Sequence, residues 1–349
     1  MGLKLHIGFG LAVLLAGCAT VDHTPHATVG MLIPASSNEA THIRQVAILP
    51  FDGYQGREFS AEIQAQLASV KIGDKPYFQV ADRAQLDHLF SEIRLSQSGA
   101  VSHDQALRLG KLLRAKGLYT GTQGTLTTNQ SYYQEKRRAC ADGSQPKDLL
   151  SALACQKFVD STVNCTQYDA NFTFSVRLTD TETGQVVYAR TIPGAATARS
   201  CSDRQPAPTA AQLADSAKQK AFSSFLHDVA PSIQTMEVQL LDVPNGTESE
   251  SARAKLAQGI AFATAGRMDR ACELWGEARE SAGQSPAIYY DLGVCAEWQG
   301  EVDRAADLYK QADRMLLKPD DRISLAMLRT DKARRDSVKF AEQVRSSRP

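Results

Sequence analysis

The sequence predicts an α+β protein, with a mixed-sheet α/β domain followed by an all-α repeat domain. Two observations carry this prediction. In the first two thirds of the chain, short apolar or alternating segments are interleaved with segments of helical spacing. In the last third, residues 252–319 repeat with a period of 34 residues, which is typical of stacked helical hairpins. The length of 349 residues fits two domains.

Strands of the α/β domain are predicted from apolar runs that end at turns. The run QVAILPF (45–51) ends at Asp52-Gly53, which indicates a buried strand stopped by a turn. Four apolar residues alternate with polar ones, as in a half-buried strand: Phe172, Phe174, Val176 and Leu178. A turn at 181–184 then returns the chain into a partner strand over 185–192. Other extended segments are predicted over 77–80, 117–126 and 236–243.

Helices are predicted where apolar residues recur at helical spacing, over 57–70, 82–93, 104–115 and 211–229. Residues 128–164 have no clear pattern; charges cluster at 135–138, and Pro146 and Lys147 interrupt the segment.

The predicted boundaries are a signal peptide at 1–17, a flexible tether at 18–42, the α/β domain at 43–243, a linker at 244–251, two repeats at 252–319, and a capping helix and tail at 320–349.

The N-terminus carries the features of an export signal. Lys4 precedes an apolar run over 7–15, which is too short to cross a bilayer because a spanning helix needs about 20 apolar residues. Leu15-Ala16-Gly17-Cys18 resembles the lipobox of bacterial lipoproteins, in which the cysteine is acylated and becomes the new N-terminus. Cys18 is therefore the predicted lipidation site, and Ala19, in place of the aspartate tied to inner-membrane retention, favours the outer membrane. The alternative is an ordinary signal peptide with an incidental cysteine.

Composition and motifs argue against several classes of function. Basic and acidic residues number 39 each, which argues against nucleic acid as a partner because such domains are usually strongly basic. The chain has no HExxH, no GxSxG and no phosphate-binding glycine loop. His88 lies beside the apolar face of its helix and is expected to be packed, and Asp320-Asp321 indicates a helix start rather than a metal pair. We predict a protein that is not an enzyme, with no cofactor and no metal site.

Six cysteines besides Cys18 suggest disulfides in an oxidising compartment: Cys140, Cys155, Cys165, Cys201, Cys272 and Cys295. If Asp180 faces Gln185 across the predicted turn, the register of that hairpin brings residue 165 nearly opposite residue 201. A disulfide between Cys165 and Cys201 is therefore predicted, which leaves residues 140 and 155 to close the insertion. A frayed hairpin with other pairings is the alternative.

The 34-residue repeat resembles the tetratricopeptide repeat. The matching pairs are Gly259 with Gly293, Gly266 with Gly300, Ala271 with Ala305, Trp275 with Tyr309, and Ala278 with Ala312. Small residues let the two helices of a repeat approach closely, and the aromatic residue fills the space between neighbours. In that register, Cys272 and Cys295 lie on helices that pack together and can form a disulfide; two buried free thiols are the alternative.

The first helices of such repeats line a concave face, which here predicts a groove for a peptide or helix of a partner protein. The residues assigned to it are Leu256, Ile260, Tyr290, Val294, Glu297 and Trp298. The alternative is that several of them face the α/β domain or the cap helix. A run of basic residues on the cap helix, from Arg322 to Arg345, is interpreted as a solvated face, with contact to anionic lipid or polymer as the alternative.

Four stretches of the α/β domain resemble the curli-secretion lipoprotein family (CsgG-like): VAILPFDG (46–53), YFQVADRAQLDHLFSEIRLSQSG (77–99), ALRLGKLLRAKGLYTGTQGTL (106–126) and FTFSVRLTDTETGQVVY (172–188). Penicillin-binding-protein activator lipoproteins share this general fold. The most specific points are Asp82-Arg83, Glu92 and the segment from Gly110 to Gly121. We interpret Arg83 and Glu92 as structural contacts rather than catalytic groups.

The resemblance implies two different functions. Pore-forming members assemble as rings and insert β-hairpins into the outer membrane, whereas activator members stay periplasmic and contact a partner enzyme. A membrane strand needs about 9–11 residues with alternating apolar positions, and residues 128–164 lack that alternation. We therefore expect an outer-membrane-anchored periplasmic adaptor or assembly factor of envelope biogenesis, with a protein partner and a possible homo-oligomer. A secretion-channel component and an activator of a peptidoglycan synthase are the alternatives.

The lipid anchor gives a first prediction. Cys18→Ala removes the acylated thiol, so the variant should move from the membrane fraction to the soluble periplasmic fraction, because acyl chains contribute about 0.8 kcal/mol per buried CH₂. Cell fractionation and immunoblotting measure the shift, with Ala19→Ser as the matched control that should stay membrane-bound. Retention of the Cys18→Ala variant in the membrane fraction would contradict the anchor.

Overall fold

The computed structural model describes residues 24–82, 103–141, 155, 157–203, 208–244, 246, 248–281 and 283–346. Three predictions lie outside the described residues: the signal peptide, Cys18, and all but the first residue of the helix over 82–93, which holds Arg83, His88 and Glu92. The chain divides into two units. We name the part formed by 32–234 and 333–346 the sheet unit, and the part formed by 24–31 and 235–332 the helical unit.

The strands of the described residues are β1 His26–Ile33, β2 Gln45–Ile48, β3 Lys71–Ile72, β4 Lys75–Pro76, β5 Gln79–Val80, β6 Gly117–Cys140, β7 Phe158–Asp180, β8 Val186–Cys201 and β9 Ser232–Gln239. The helices are α1 Asn38–Thr41, α2 Gly56–Ser69, α3 His103–Leu113, α4 Ala210–Val229, α5 Glu250–Thr264, α6 Met268–Arg279, α7 Pro286–Trp298, α8 Val302–Arg314 and α9 Asp321–Ser346. Among these helices, none has the length and apolar character needed to span a bilayer.

A mixed five-stranded sheet followed by helices confirms the α+β class. The strand order is β5-β2-β6-β7-β8. Strand β2 runs parallel to both β5 and β6, and β6, β7 and β8 pair antiparallel in sequence order. Residues Val46–Ile48 of β2 are buried on both faces, which explains why this strand reads as a continuous apolar run.

The sheet is covered on both sides. On one face, α2 and α4 enclose a cluster of aromatic rings: Phe51, Phe59, Phe172, Phe174, Phe222 and Phe225. On the other face, Leu109 and Leu113 of α3 pack with Leu118 of β6. Gly194 of β8 lets α4 approach closely, because a Cβ there would overlap the carbonyl oxygen of Ala217.

The helical unit contains two helical hairpins, α5–α6 and α7–α8, with the same internal contact. A Cβ at Gly259 would overlap the ring of Trp275, and a Cβ at Gly293 would overlap the ring of Tyr309. The turns of both hairpins hold a glycine with positive φ, +78° at residue 266 and +79° at residue 300. The 34-residue period in the sequence therefore corresponds to a repeated packing geometry.

Within the segment expected to be a flexible tether, the described residues form strand β1 and helix α1. Ala27 and Val29 of β1 are buried in the core of the helical unit, while Thr28 between them is exposed. Strands β1 and β9 form a two-stranded sheet, and the amide of Leu240 donates to the carbonyl oxygen of Pro25. Residues 235–243, which were expected in the α/β domain, belong to the helical unit because Val238 and Leu240 complete its core.

The segment 128–164 also differs from its predicted irregular state. Strand β6 continues to Cys140 and pairs with β7 from Gly117↔Asp180 to Cys140↔Phe158, with one irregularity between Gln123 and Leu126. Its described strand residues, 128–140 and 158–164, belong to the paired strands of a long hairpin. Its side chains alternate between two polar faces, so its strands lack the apolar period that identifies a half-buried strand.

A buried ion pair joins α7 to α9 within the helical unit. Arg329 Nη2 lies 2.6 Å from Glu297 Oε2, and its Nε donates to Glu297 Oε1 over 2.9 Å. The Tyr309 hydroxyl donates to the same carboxylate over 2.7 Å. Both charged side chains are nearly inaccessible, at 11% and 6% exposure. Removal of one partner leaves the other charge buried without compensation.

We predict that Arg329→Met lowers the free energy of unfolding by about 3–5 kcal/mol, because Glu297 is left unpaired. Chemical denaturation of the full chain measures the change. The control is Arg322→Met, whose pair with Asp320 is more exposed (33% and 20%) and should cost less than about 1 kcal/mol. The double variant Glu297→Gln, Arg329→Met should recover part of the loss. Equal effects of the two arginine substitutions would contradict this account.

Candidate functional site

The hairpin that extends from the core sheet is the first candidate site. We name residues 127–140 of β6 and 158–171 of β7 the stapled hairpin. A disulfide joins Cys140 to Cys155 at its tip, with Cα atoms 5.4 Å apart. A second joins Cys165 of β7 to Cys201 of β8, with Cα atoms 4.0 Å apart. The first bond ties the end of β6 to residue 155, ahead of β7, and the second ties β7 to β8.

The register of β7 and β8 that pairs Cys165 with Cys201 differs by one residue from the register predicted from the sequence. The Asp180 amide donates to the Gln185 carbonyl oxygen at the turn, as expected. One irregularity between Leu178 and Thr179 then shifts the pairing by one residue, and this places the two cysteines directly opposite. The third disulfide, Cys272–Cys295, joins α6 to α7 with Cα atoms 5.6 Å apart.

Both faces of the stapled hairpin are polar. On β6, one face carries Thr128, Gln130, Tyr132, Gln134, Lys136 and Arg138, and the other carries Asn129, Ser131, Tyr133, Glu135 and Arg137. Tyr132 is 76% exposed. Buried side chains near the second disulfide are limited, among the described residues, to a small cluster in which Val163 packs with the two cysteines. Nothing on either face forms a continuous apolar stripe.

Ion pairs and hydrogen bonds order the side chains of the second face. Arg137 bridges Glu135 Oε2 at 2.6 Å and Asp203 Oδ2 at 2.8 Å. Hydrogen bonds from Gln167 and Thr197 lower the pKa of Asp169. The Glu135 carboxylate lies near the sulfurs of residues 165 and 201, but those sulfurs are bonded to each other and are not thiolate ligands.

The residues assigned to a partner groove are mostly inaccessible. Leu256, Tyr290, Val294 and Glu297 are buried. The Tyr290 hydroxyl donates to the Gln239 carbonyl oxygen over 2.9 Å, and Glu297 holds the buried ion pair described above. These four side chains are core contacts of the helical unit, so they do not form an open groove. Spacing along the helices did not reveal which neighbours cover them.

The two remaining residues of that set are more accessible. Ile260 packs partly buried against the same core, and Trp298 is 44% exposed. Trp298 lines a cleft of about 530 Å³ within the helical unit, together with residues of β1, β9 and the α5–α6 turn. Sequence reasoning missed the other walls of this cleft because β1 was expected to be part of a tether.

The comparison with protein families gives one match. Residues 56–258 match the family described as curli production assembly/transport component CsgG. The match covers more than half of the chain and includes the stapled hairpin. The chain belongs to the CsgG family. The comparison with curated proteins finds no match.

Membership of the CsgG family sets the general function. The family is a secretion and assembly component rather than an enzyme family, and its members are associated with the cell envelope. The match ends within α5, and no tetratricopeptide-repeat family is detected in the helices that follow. The helical unit of this CsgG-family chain therefore lies largely beyond the family segment.

A buried carboxyl on α7 links stability to pH. Asp291 Oδ1 accepts a hydrogen bond from the Leu241 amide over 3.0 Å, while Oδ2 has no hydrogen-bond partner among the described residues. Burial raises the pKa of Asp291 well above its ordinary value. A raised pKa means that the folded chain binds the proton more tightly than the unfolded chain. The stability that this tighter proton binding provides is fully present below the pKa of the unfolded chain, about 3.9. It is lost as the pH rises toward the pKa of Asp291 in the folded chain.

We predict that Asp291→Asn removes the loss of stability with rising pH. The amide oxygen of the new side chain still accepts a hydrogen bond from the Leu241 amide, and no charge must be buried. The stability gain of the variant over the parent should grow as pH rises above about 4. Urea denaturation at several pH values measures it, with Asp307→Asn, at an exposed position of α8, as the control. A gain that does not depend on pH would contradict the role given to Asp291.

Proposed function

We propose that this CsgG-family protein is an outer-membrane lipoprotein, anchored through Cys18 and facing the periplasm. There it acts as a protein-binding adaptor or assembly factor in cell-envelope biogenesis. In this proposal the sheet unit works in water and contacts other proteins, and the lipid is the membrane attachment. The three disulfides support an oxidising compartment.

The polarity of the stapled hairpin carries the proposal. A strand that crosses hydrocarbon presents an apolar face over about 9–11 residues, because polar side chains are costly there. Over residues 127–138 of β6, neither face is apolar, and charged side chains lie on both faces at Glu135 and Lys136. The disulfides fix the hairpin in this extended form, so it suits contact with water or protein.

The helical unit supports a role in protein binding. Its two hairpins repeat the glycine–aromatic contact and the glycine turn, which is the packing that the tetratricopeptide pattern predicts. We infer two such repeats with α9 as their cap. Arrays of this kind bind other proteins through surfaces formed by successive repeats. Here the accessible part of that surface is the cleft at Trp298 rather than the groove predicted from helical register.

The second candidate function is a component of a secretion channel. The observation that favours it is strand length: β6 and β7 run for 24 and 23 residues, more than the length needed to cross a bilayer. This candidate requires the hairpin to change its surroundings on assembly into a ring. It differs from the adaptor in both native mass and membrane permeability.

Light scattering and dye release together test the proposal. The full lipidated chain is purified in detergent for its native mass and then incorporated into liposomes loaded with a fluorescent dye. We expect a monomer or dimer and retained dye. The paired control is the Cys18→Ala chain added to the same liposomes. A ring-sized mass together with dye release that requires the lipidated chain would replace the adaptor with the channel.

A further inference from the structure

The cleft at Trp298 is built from three parts of the helical unit. The exposed faces of β1 and β9 contribute one side, the α5–α6 turn and the start of α6 contribute another, and the end of α7 contributes the indole. Its lining residues include Thr24, His26, Thr28, Glu237, Thr264 and Trp298. Its volume of about 530 Å³ falls in the range of ligand sites, which is about 300–1,000 Å³.

The charge of the cleft is negative. Glu237 is exposed on β9, and none of the described lining residues is lysine or arginine. Within the described part of the chain, the Glu237 carboxylate has no ion-pair partner, unlike Glu297, which Arg329 neutralises. The cleft therefore offers an uncompensated carboxylate to a cation.

The indole of Trp298 provides a second recognition element for the same charge. The chain has two tryptophans. Trp275 is fully buried and its Nε1 donates to the Leu256 carbonyl oxygen, so it belongs to the core. Trp298 is 44% exposed and lines the cleft. A cation over an indole face is attracted by the negative potential of the ring.

We propose that this cleft binds a lysine or arginine side chain carried by an extended segment of a partner protein. Glu237 pairs with the cation and Trp298 contacts it through its ring. The hydroxyls of Thr24, Thr28 and Thr264 supply acceptors and donors for the backbone of that segment. The partner segment is selected by its positive charge, which is complementary to the carboxylate of Glu237.

This inference deepens the proposed adaptor function, because it names the chemistry of the partner segment. It does not use the stapled hairpin or the lipid anchor. Native mass and dye release can therefore support the adaptor even if the cleft does not bind the cation. Binding in the cleft can likewise be observed even if native mass and dye release favour the channel.

Tryptophan fluorescence of the full chain measures binding directly. The probe is the peptide acetyl-Gly-Arg-Gly-amide, and its counterpart with citrulline in place of arginine has the same shape without the charge. We expect a saturable change in emission with the arginine peptide and a much smaller change with the citrulline peptide. Because Trp275 is buried, the change reports on Trp298.

Two variants test the contributions of Glu237 and Trp298 separately. Glu237→Gln should lower the affinity for the arginine peptide about fivefold, as expected for loss of about 1 kcal/mol. The control is Glu280→Gln, which changes an exposed carboxylate outside the cleft and should leave that affinity unchanged. Trp298→Leu should weaken binding similarly when the peptide is followed by saturation-transfer NMR. Equal binding of both peptides, or equal affinities of the Glu237→Gln and Glu280→Gln variants, would overturn the proposal.

Discussion

The register of β7 is the constraint on which the sheet unit depends. This strand pairs with β6 along its whole length and with β8 from Thr179 back to Cys165. One end carries Phe172, Phe174 and Val176 into the aromatic core, and the other end holds the polar hairpin. A slip by one residue would exchange the two faces of the strand, so the core and the disulfide between residues 165 and 201 specify the same pairing.

The sequence predicted those elements in which burial gives the side chains a periodic pattern or in which a turn marks the end of a strand. The alternation at 172–178 and the turn at 181–184 brought Cys165 to within one residue of facing Cys201. The 34-residue period located both helical hairpins. In each case a side-chain property repeats with the period of the backbone. The CsgG resemblance rested on four stretches of the α/β domain, and the family match at 56–258 confirms it.

The remaining features lack such a signal for physical reasons. Strand pairing over 127–140 is held by backbone hydrogen bonds and disulfides, and both faces are polar, so no period-two pattern marks it. The covering of Glu297 depends on Arg329, 32 residues further along the chain. Helical spacing indicates which residues share a face, but not which helix covers that face. The cleft at Trp298 depends on β1, which is distant in sequence from every other wall.

We propose that the stapled hairpin works in water or against protein while the lipid holds the chain at the membrane. A bimane probe at Tyr132→Cys, in the full lipidated chain on liposomes, tests it most directly, since the native side chain is 76% exposed. Aqueous iodide should quench the probe strongly, and lipids with nitroxide-labelled acyl chains should quench it weakly. Strong quenching by the labelled lipids with protection from iodide would place the hairpin in the bilayer and contradict the account.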